Sequence, residues 1–368
     1  MKLILFAIVL LSYLSTNGQY FKSKKIIVAN HYQVRVYLPD NYKKSRLKYP
    51  VVYVFDGQVL SDILATTCRY NWDIYPPFII VGVEQIDRGR ELIDKGENNS
   101  EGNEFFYELL SKKLFPLVEK RYRTNSIRVG IGHSHGGSFV LNAALKRDFF
   151  NAVISISPTL WINKTSFLKD YPLNDPEWNK IKKFYCAYGE RDFPVIQADC
   201  DSLFKENDRL SVIKKEVLIG EDHNSVVFTG IRKGVEFIFQ DFYLNDDIWS
   251  NIEEMKNDSL FYSHFRRLSV FWNEEIIPSE DDYNSLGYYY MENENWKKAE
   301  EIFRAALYYY PFSANLYDSL GELFENQQKL KEAKHYYLKA FKIARKDKEM
   351  KLMLPTYEEH LKGIKIKM

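Results

Sequence analysis

The run Ile127-Arg128-Val129-Gly130-Ile131-Gly132-His133-Ser134-His135-Gly136-Gly137 goes from alternating β-branched residues to glycine, then hands over to the apolar, alanine-bearing stretch Phe139 to Leu145. That order reads as strand, sharp turn, helix, and the turn holds G-x-S-x-G at Gly132 to Gly136. Small residues on both sides of Ser134 let the chain turn tightly, lifting its hydroxyl above the end of a sheet strand. A serine in that position is placed for nucleophilic work.

Working outward, the flanking segments predict the sheet that such a turn needs. Val51-Val52-Tyr53-Val54-Phe55 is a continuous apolar run ending in a loop at Asp56-Gly57-Gln58. Phe78 to Val83, Ala152 to Ile156, Phe184 to Tyr188 and Glu216 to Ile219 continue the series. Ahead of them, Lys25 to Asn30 and Tyr32 to Leu38 predict an antiparallel pair, with Val34 and Val36 alternating against Arg35 and Tyr37. Helical segments are expected at Glu104 to Arg121, Gly137 to Lys146, Gln197 to Arg209 and Thr229 to Phe242. Apolar strands alternating with helices specify an α/β domain with a mainly parallel sheet covered on both faces. Ligands in such sheets bind beyond the carboxyl ends of the strands.

From about Asn245 the strand pattern stops. Tyr283, Leu286, Gly287, Tyr290, Ala299, Phe303, Ala306 and Pro311 fit the tetratricopeptide pattern. One period later Tyr317, Leu320, Gly321, Phe324, Ala333, Tyr337 and Ala340 fit it again, with Arg345 in place of the proline. The expected organisation is a targeting segment at 1–19, an α/β domain at 20–244, a helical linker at 245–282 and repeats at 283–316 and 317–350. Two repeats fall short of the three or so that stand alone. The linker segment Asp247 to Trp272 is therefore expected to join the stack, and a helix opened by Pro355 and carrying Tyr357, Leu361 and Ile364 to cap it. A protein or peptide partner is expected on the repeats.

The chain has 368 residues with a formal charge of +1 and 45% apolar content, which points to neither nucleic acid nor a disordered tail. Aromatic content is high at 16%, with 27 Tyr and 25 Phe, serving cores, pockets and repeats alike. Lys2, the apolar run Leu3 to Leu14 and the small residues Ser15 to Gly18 read as a cleavable export signal. The run is shorter than the roughly 20 residues a bilayer span needs, so a periplasmic or secreted protein without a stable membrane span is expected. Cys68, Cys186 and Cys200 leave at least one thiol unpaired, and a Cys186–Cys200 bridge stays open as an option in an oxidising compartment.

An activated serine needs a base, and the base needs an orienting acid. In a strand–turn–helix serine site the acid and then the histidine follow the serine along the chain. Of the seven histidines, His31, His133 and His135 come too early, and His264, His335 and His360 lie in the helical region. His223 remains, just after the strand ending at Ile219. Asp192 in Gly189-Glu190-Arg191-Asp192 is favoured as the acid, with Glu190 as the alternative. Oxyanion donors are expected from the backbone of His135 and of Gly57 or Gln58. His133 and His135 flank the serine, but no carboxylate or cysteine is spaced to join them, so no metal is expected.

These residues carry a resemblance. Tyr49 to Gly57, Ile80-Val81-Gly82-Val83 followed by Asp87-Arg88, the turn Gly132 to Gly137, Ser157 to Trp161 and Gly220 to His223 resemble the putative esterase family of α/β-hydrolases, which includes enterochelin-type siderophore esterases. The resemblance covers roughly residues 25 to 345. It implies the α/β-hydrolase fold and hydrolysis of a small-molecule carboxylic ester through an acyl-serine, with no cofactor. It also implies that Trp161 lines the acyl or leaving-group side and that Arg88 lies at the substrate rim. The stretch Asp87 to Ile93 keeps the family's D-R-x-R-D-x-T-P pattern only in part, so the rim is expected to differ.

Overall fold

The computed structural model describes residues 22–29, 31–70, 75–93, 100–160, 176–204, 212–255, 258–347 and 349–368. The expected export signal at 1–19, Asn30 at the end of the first expected strand, Trp161, and the end of the helix expected at Gln197 to Arg209 lie outside them.

An eight-stranded sheet, in the order β1-β2-β4-β3-β5-β6-β7-β8, forms the frame. The strands are β1 (Lys22–Ala29), β2 (Tyr32–Leu38), β3 (Tyr49–Phe55), β4 (Ile79–Val83), β5 (Thr124–His133), β6 (Ala152–Ile156), β7 (Lys183–Gly189) and β8 (Ile213–Leu218). β2 runs antiparallel to both β1 and β4. The other pairs are parallel, with Val54 beside Ile131, His133 beside Ile156, and Gly189 beside Leu218. The chain moves from β3 outward to β4 and returns to β5 on β3's other side. That reversal opens a crevice between the carboxyl ends of β3 and β5.

β3 shows why the central strands read as unbroken apolar runs. All seven of its residues are buried. Val51, Tyr53 and Phe55 enter one core with Phe106, Phe115 and Phe139, while Val52 and Val54 enter the other with Leu64, Ile231 and Val235. Alternate side chains meet helices on both faces, so neither face can be polar. The helices are α1 (Gly57–Tyr70), α2 (Arg88–Leu92), α3 (Ser100–Leu109), α4 (Phe115–Arg121), α5 (His135–Arg147), α6 (Pro194–Leu203) and α7 (Val226–Phe239). The expected single helix Glu104 to Arg121 is interrupted. A π turn at Leu110–Leu114 separates α3 from α4, just ahead of Pro116, whose ring nitrogen cannot donate to the ladder. The segment after β3, expected as a loop, is helix α1 from Gly57 onward.

The helical region contains α8 (Asp246–Met255), α9 (Ser259–Trp272), α10 (Glu280–Glu292), α11 (Trp296–Tyr309), α12 (Ala314–Asn326), α13 (Leu330–Lys346) and α14 (Leu354–Lys367). Its repeats close through one contact made twice. Gly287 lies against the Phe303 ring and Gly321 against the Tyr337 ring, one period of 34 residues later, with no room for a Cβ at either glycine. Tyr357, Leu361 and Ile364 on α14 are buried, as a cap requires.

The segment at Asp247 to Trp272, expected to join the stack and link it to the first domain, packs directly on the sheet. Phe261, Phe265, Leu268 and Trp272 share a core with the sheet's Val52, Ile127 and Ile154. The contacts of the helical region with the sheet fall at the amino ends of the parallel strands. Ser126, early in β5, donates its amide to Glu274 at 2.7 Å, and the Arg46 amide, ahead of β3, donates to the Tyr309 carbonyl at 2.7 Å. Asp241 takes the Lys183 ammonium at the start of β7 at 2.6 Å and offers its carbonyl to His264 Nε2 at 2.9 Å. The repeats therefore stand on the sheet edge opposite the crevice. No helix among the described residues is long and apolar enough to cross a membrane.

Candidate active site

β5 delivers Ser134 in a backbone conformation that side-chain-bearing residues avoid, φ 57° and ψ −119°. Three contacts hold it there. The Ser134 amide donates to the Ile156 carbonyl at 2.9 Å, and the Ser134 carbonyl accepts from the Ser138 amide at 3.2 Å and the Thr159 amide at 3.4 Å. The turn closes because Gly132 has no side chain; a Cβ there would sit 2.1 Å from the Gly136 carbonyl. His135 is the first residue of α5, so its amide belongs to the unsatisfied, electropositive start of that helix.

The acid and base come from the next strands. β7 ends at Gly189 and β8 at Leu218, and the two following loops touch: a Cβ on Gly189 would lie 2.4 Å from the Glu221 carbonyl oxygen. Across that contact His223 Nδ1 donates to Asp192 Oδ1 at 2.9 Å. The Asp192 carboxylate is fully enclosed, whereas the His223 ring keeps 19% exposure. Asp192 Oδ1 also accepts the Phe193 amide at 2.8 Å, and Oδ2 accepts the Ser157 hydroxyl at 2.5 Å. Burial pulls this carboxyl upward, but the hydrogen bonds from His223, Ser157 and Phe193 outweigh it and hold it below the ordinary carboxylate range. It stays ionised and acceptor-only. Glu190 points elsewhere and accepts the Gly220 amide at 3.0 Å.

Both histidines beside the serine have partners. His133 Nε2 donates to the His223 carbonyl at 2.7 Å, with the two rings 4.7 Å apart. Burial first, then the nearby His223 charge, pushes His133 down to about 4, so the ring is neutral at physiological pH. His135 Nδ1 shares a hydrogen bond of 2.7 Å with Thr159 Oγ1, and burial, reinforced by Arg88, lowers its pKa too. Gly57 and Gln58 stand at the start of α1, beside the crevice. Arg88, expected at the substrate rim, grips Asp56 with Nε at 2.7 Å and one Nη at 2.9 Å, and that Nη also reaches the His133 carbonyl at 3.1 Å. Most of its guanidinium braces the turn, with the side chain 38% exposed.

Sequence reading missed Ser157 as a partner of the acid. Its φ of 46° at the end of β6 is a left-handed strain that a linear pattern does not reveal. It also missed a set of exposed apolar side chains on the loops and helix starts of this edge: Val59, Ile86, Phe193 and Phe228. The Phe193 ring lies 5.0 Å from the His223 ring.

A parallel sheet reversing at β3, a strained serine at its carboxyl edge and an aspartate–histidine pair from the loops after β7 and β8 define the α/β-hydrolase class. A family model described as Putative esterase matches residues 27–305, and the chain belongs to that family; it is an esterase by family. A tetratricopeptide-repeat model matches residues 314–347. Among curated proteins the apo-salmochelin esterase of Escherichia coli is similar, 28% identical over 151 residues, which is 35% of this chain and 47% of that protein. The chain thus spans about half the length of that relative. The solved IroE-like serine hydrolase from Shewanella oneidensis is 22% identical, covering 78% of this chain and 98% of its own, with a TM-score of 0.59. An uncharacterised protein from Capnocytophaga ochracea, 15% identical, covers 94% of this chain and 99% of its own with a TM-score of 0.58. Both structures speak for the fold.

Proposed function

We propose that this protein is a serine carboxylic-ester hydrolase working through an acyl-serine. The observation that carries the reading is the 2.9 Å bond from His223 Nδ1 to the enclosed Asp192, on the same sheet edge as the strained Ser134. With its Nδ1 proton committed to Asp192, His223 is in the tautomer whose Nε2 accepts the Ser134 proton. Ser134 Oγ then attacks the ester carbonyl, and the His135 amide with that of Gly57 or Gln58 receives the developing oxyanion. His223 returns the proton to the departing alcohol. A water, activated by the same ring, releases the acid and restores the serine.

The apolar residues Val59, Ile86, Phe193 and Phe228 around this edge favour an ester with an apolar or aromatic portion over a small charged one. A siderophore-type lactone or a small acyl ester fits that description, and the relative named as an apo-salmochelin esterase supports the former. Export through residues 1–19 places the activity in the periplasm or outside the cell; the mature amino terminus, read by mass spectrometry, tests it. The repeats are proposed to hold a protein or peptide partner away from the site.

A fluorophosphonate probe tests the core of the reading. Labelling should map to Ser134 and disappear in Ser134→Ala, together with hydrolysis of p-nitrophenyl acetate. A folded wild-type protein that stays unlabelled and inactive would instead be a scaffold for the repeats. A ferric trilactone siderophore compared with acetylated and feruloylated sugars then sorts the substrate class.

A further inference from the structure

The base is held at two places, and only one of them is its acid. Asp192 orients the His223 ring through Nδ1. The His223 main chain is held separately, by the ring of the residue that precedes the serine. His133 Nε2 donates to the His223 carbonyl at 2.7 Å across 90 positions of sequence. The His133 main chain is in turn held by Arg88, whose guanidinium grips Asp56, the neighbour of Gly57. One series of polar contacts therefore joins the start of α1, the serine turn and the base loop.

We propose that His133 is a positioning residue, whose Nε2–H sets the distance between the base loop and the nucleophile turn. This rests on the catalytic reading of Ser134 and His223 given above. A carbonyl can only accept, so the bond requires a proton on Nε2. The groups facing the ring are the His223 imidazole, the Arg88 guanidinium and the Asp56 carboxylate. A neutral His133 places no second positive charge beside the imidazolium that His223 becomes during turnover. Catalytic geometry is steep in distance: a misplacement of about 1 Å costs on the order of 10²-fold in rate. A ring linking two loops is well placed to control that distance without touching substrate.

The experiment compares His133→Leu, which cannot donate, with His133→Gln, whose amide nitrogen reaches about as far as Nε2. The readouts are kcat and KM on p-nitrophenyl butyrate, the rate of fluorophosphonate labelling, and the melting temperature. The Leu variant should lose roughly 10- to 100-fold in kcat and in labelling rate with KM little changed, and the Gln variant should recover most of that loss. Should Leu not fold, His133→Asn, folded but too short to reach the carbonyl, takes its place with the same expectation. A Leu or Asn variant turning over at the wild-type rate overturns the proposal, as does a Gln variant as slow as Leu at equal stability, since packing alone would then explain the loss. Ser134→Ala run alongside separates the readings: an active Ser134→Ala defeats the catalytic assignment, while an inactive one beside a fully active His133→Leu defeats only the positioning role.

Discussion

At the carboxyl edge of the sheet, the neighbouring strands β3, β5 and β6 run into Asp56, Ser134 and Ser157 at φ 54°, 57° and 46°. Each such residue costs on the order of 1–3 kcal/mol. At the amino edge the same strands meet α9 and the loops around the repeats, through ordinary helix caps, a shared aromatic core and backbone hydrogen bonds. Left-handed residues do occur in the helical region, at Asn273, Glu294 and Gln328, but they close helix ends and turns. One edge carries left-handed residues at its strand ends, and the other is held by packing and caps. Strain at the first edge holds the Ser134 turn and the Ser157 that donates to the Asp192 carboxylate. The second edge supplies burial that helps hold the sheet while the first stays strained.

The difference can be broken at either edge. The largest effect is expected for Ser134→Ala: turnover of p-nitrophenyl acetate should fall by about 10⁶, with the melting temperature little changed. Next comes Asp192→Asn, which keeps the shape but disturbs the tautomer of His223; kcat should drop by roughly 10⁴.

The third effect is acid sensitivity. An unfolded His133 takes up a proton near its ordinary value of 6.5, while the folded ring refuses it until about 4, so the unfolded chain binds more protons in that window. The His133 contribution to stability should therefore be lost as pH drops from 6.5 towards 4. His133→Gln should show a shallower decline of the denaturation midpoint. The difference between the two proteins isolates the ring, because Glu280 and Asp282, pushed up by burial to about 7 and about 6, act with the opposite sign in both.

At the amino edge the sign of the experiment reverses. Gly321→Ala puts a methyl 2.4 Å from the buried Tyr337 ring and should cost about 1–3 kcal/mol of stability, with activity per folded molecule unchanged. The smallest effect is Ser279→Ala. This removes the capping box in which Ser279 Oγ accepts the Asp282 amide at 3.0 Å, a loss of about 1 kcal/mol seen in thermal melts alone.

Much of this was legible in the chain, and the misses share a cause. The central strands could be read because burial on two faces demands unbroken apolar runs, as β3 displays. Helix α1 was read as a loop because its first residues, Gly57 and Gln58, follow directly on a turn and carry turn chemistry. The linker was expected to join the stack and tie it to the first domain, but its apolar spacing did not say which face of that domain it meets. Periodicity reports that Phe261, Phe265 and Trp272 face something apolar, but not that the something is the sheet. In the candidate site, the G-x-S-x-G turn pointed to Ser134 and chain order to His223, while the acid was left between Asp192, favoured, and Glu190. The Ser157–Asp192 bond and the His133–His223 bond left no trace, since each joins strand ends that are neighbours only in the folded sheet.

The sequence by itself determined the alternation of strands and helices, the 34-residue repeat, and the G-x-S-x-G turn with its glycines. All three are set by local spacing of apolar and small residues. Only the tertiary structure decided what the residues around that turn do. It gave Arg88 to Asp56 and the His133 carbonyl, and it put the repeats at the far edge of the sheet. The reason is physical: a hydrogen bond between loops of different strands depends on strand order and register, and those are set by the packing of the whole sheet.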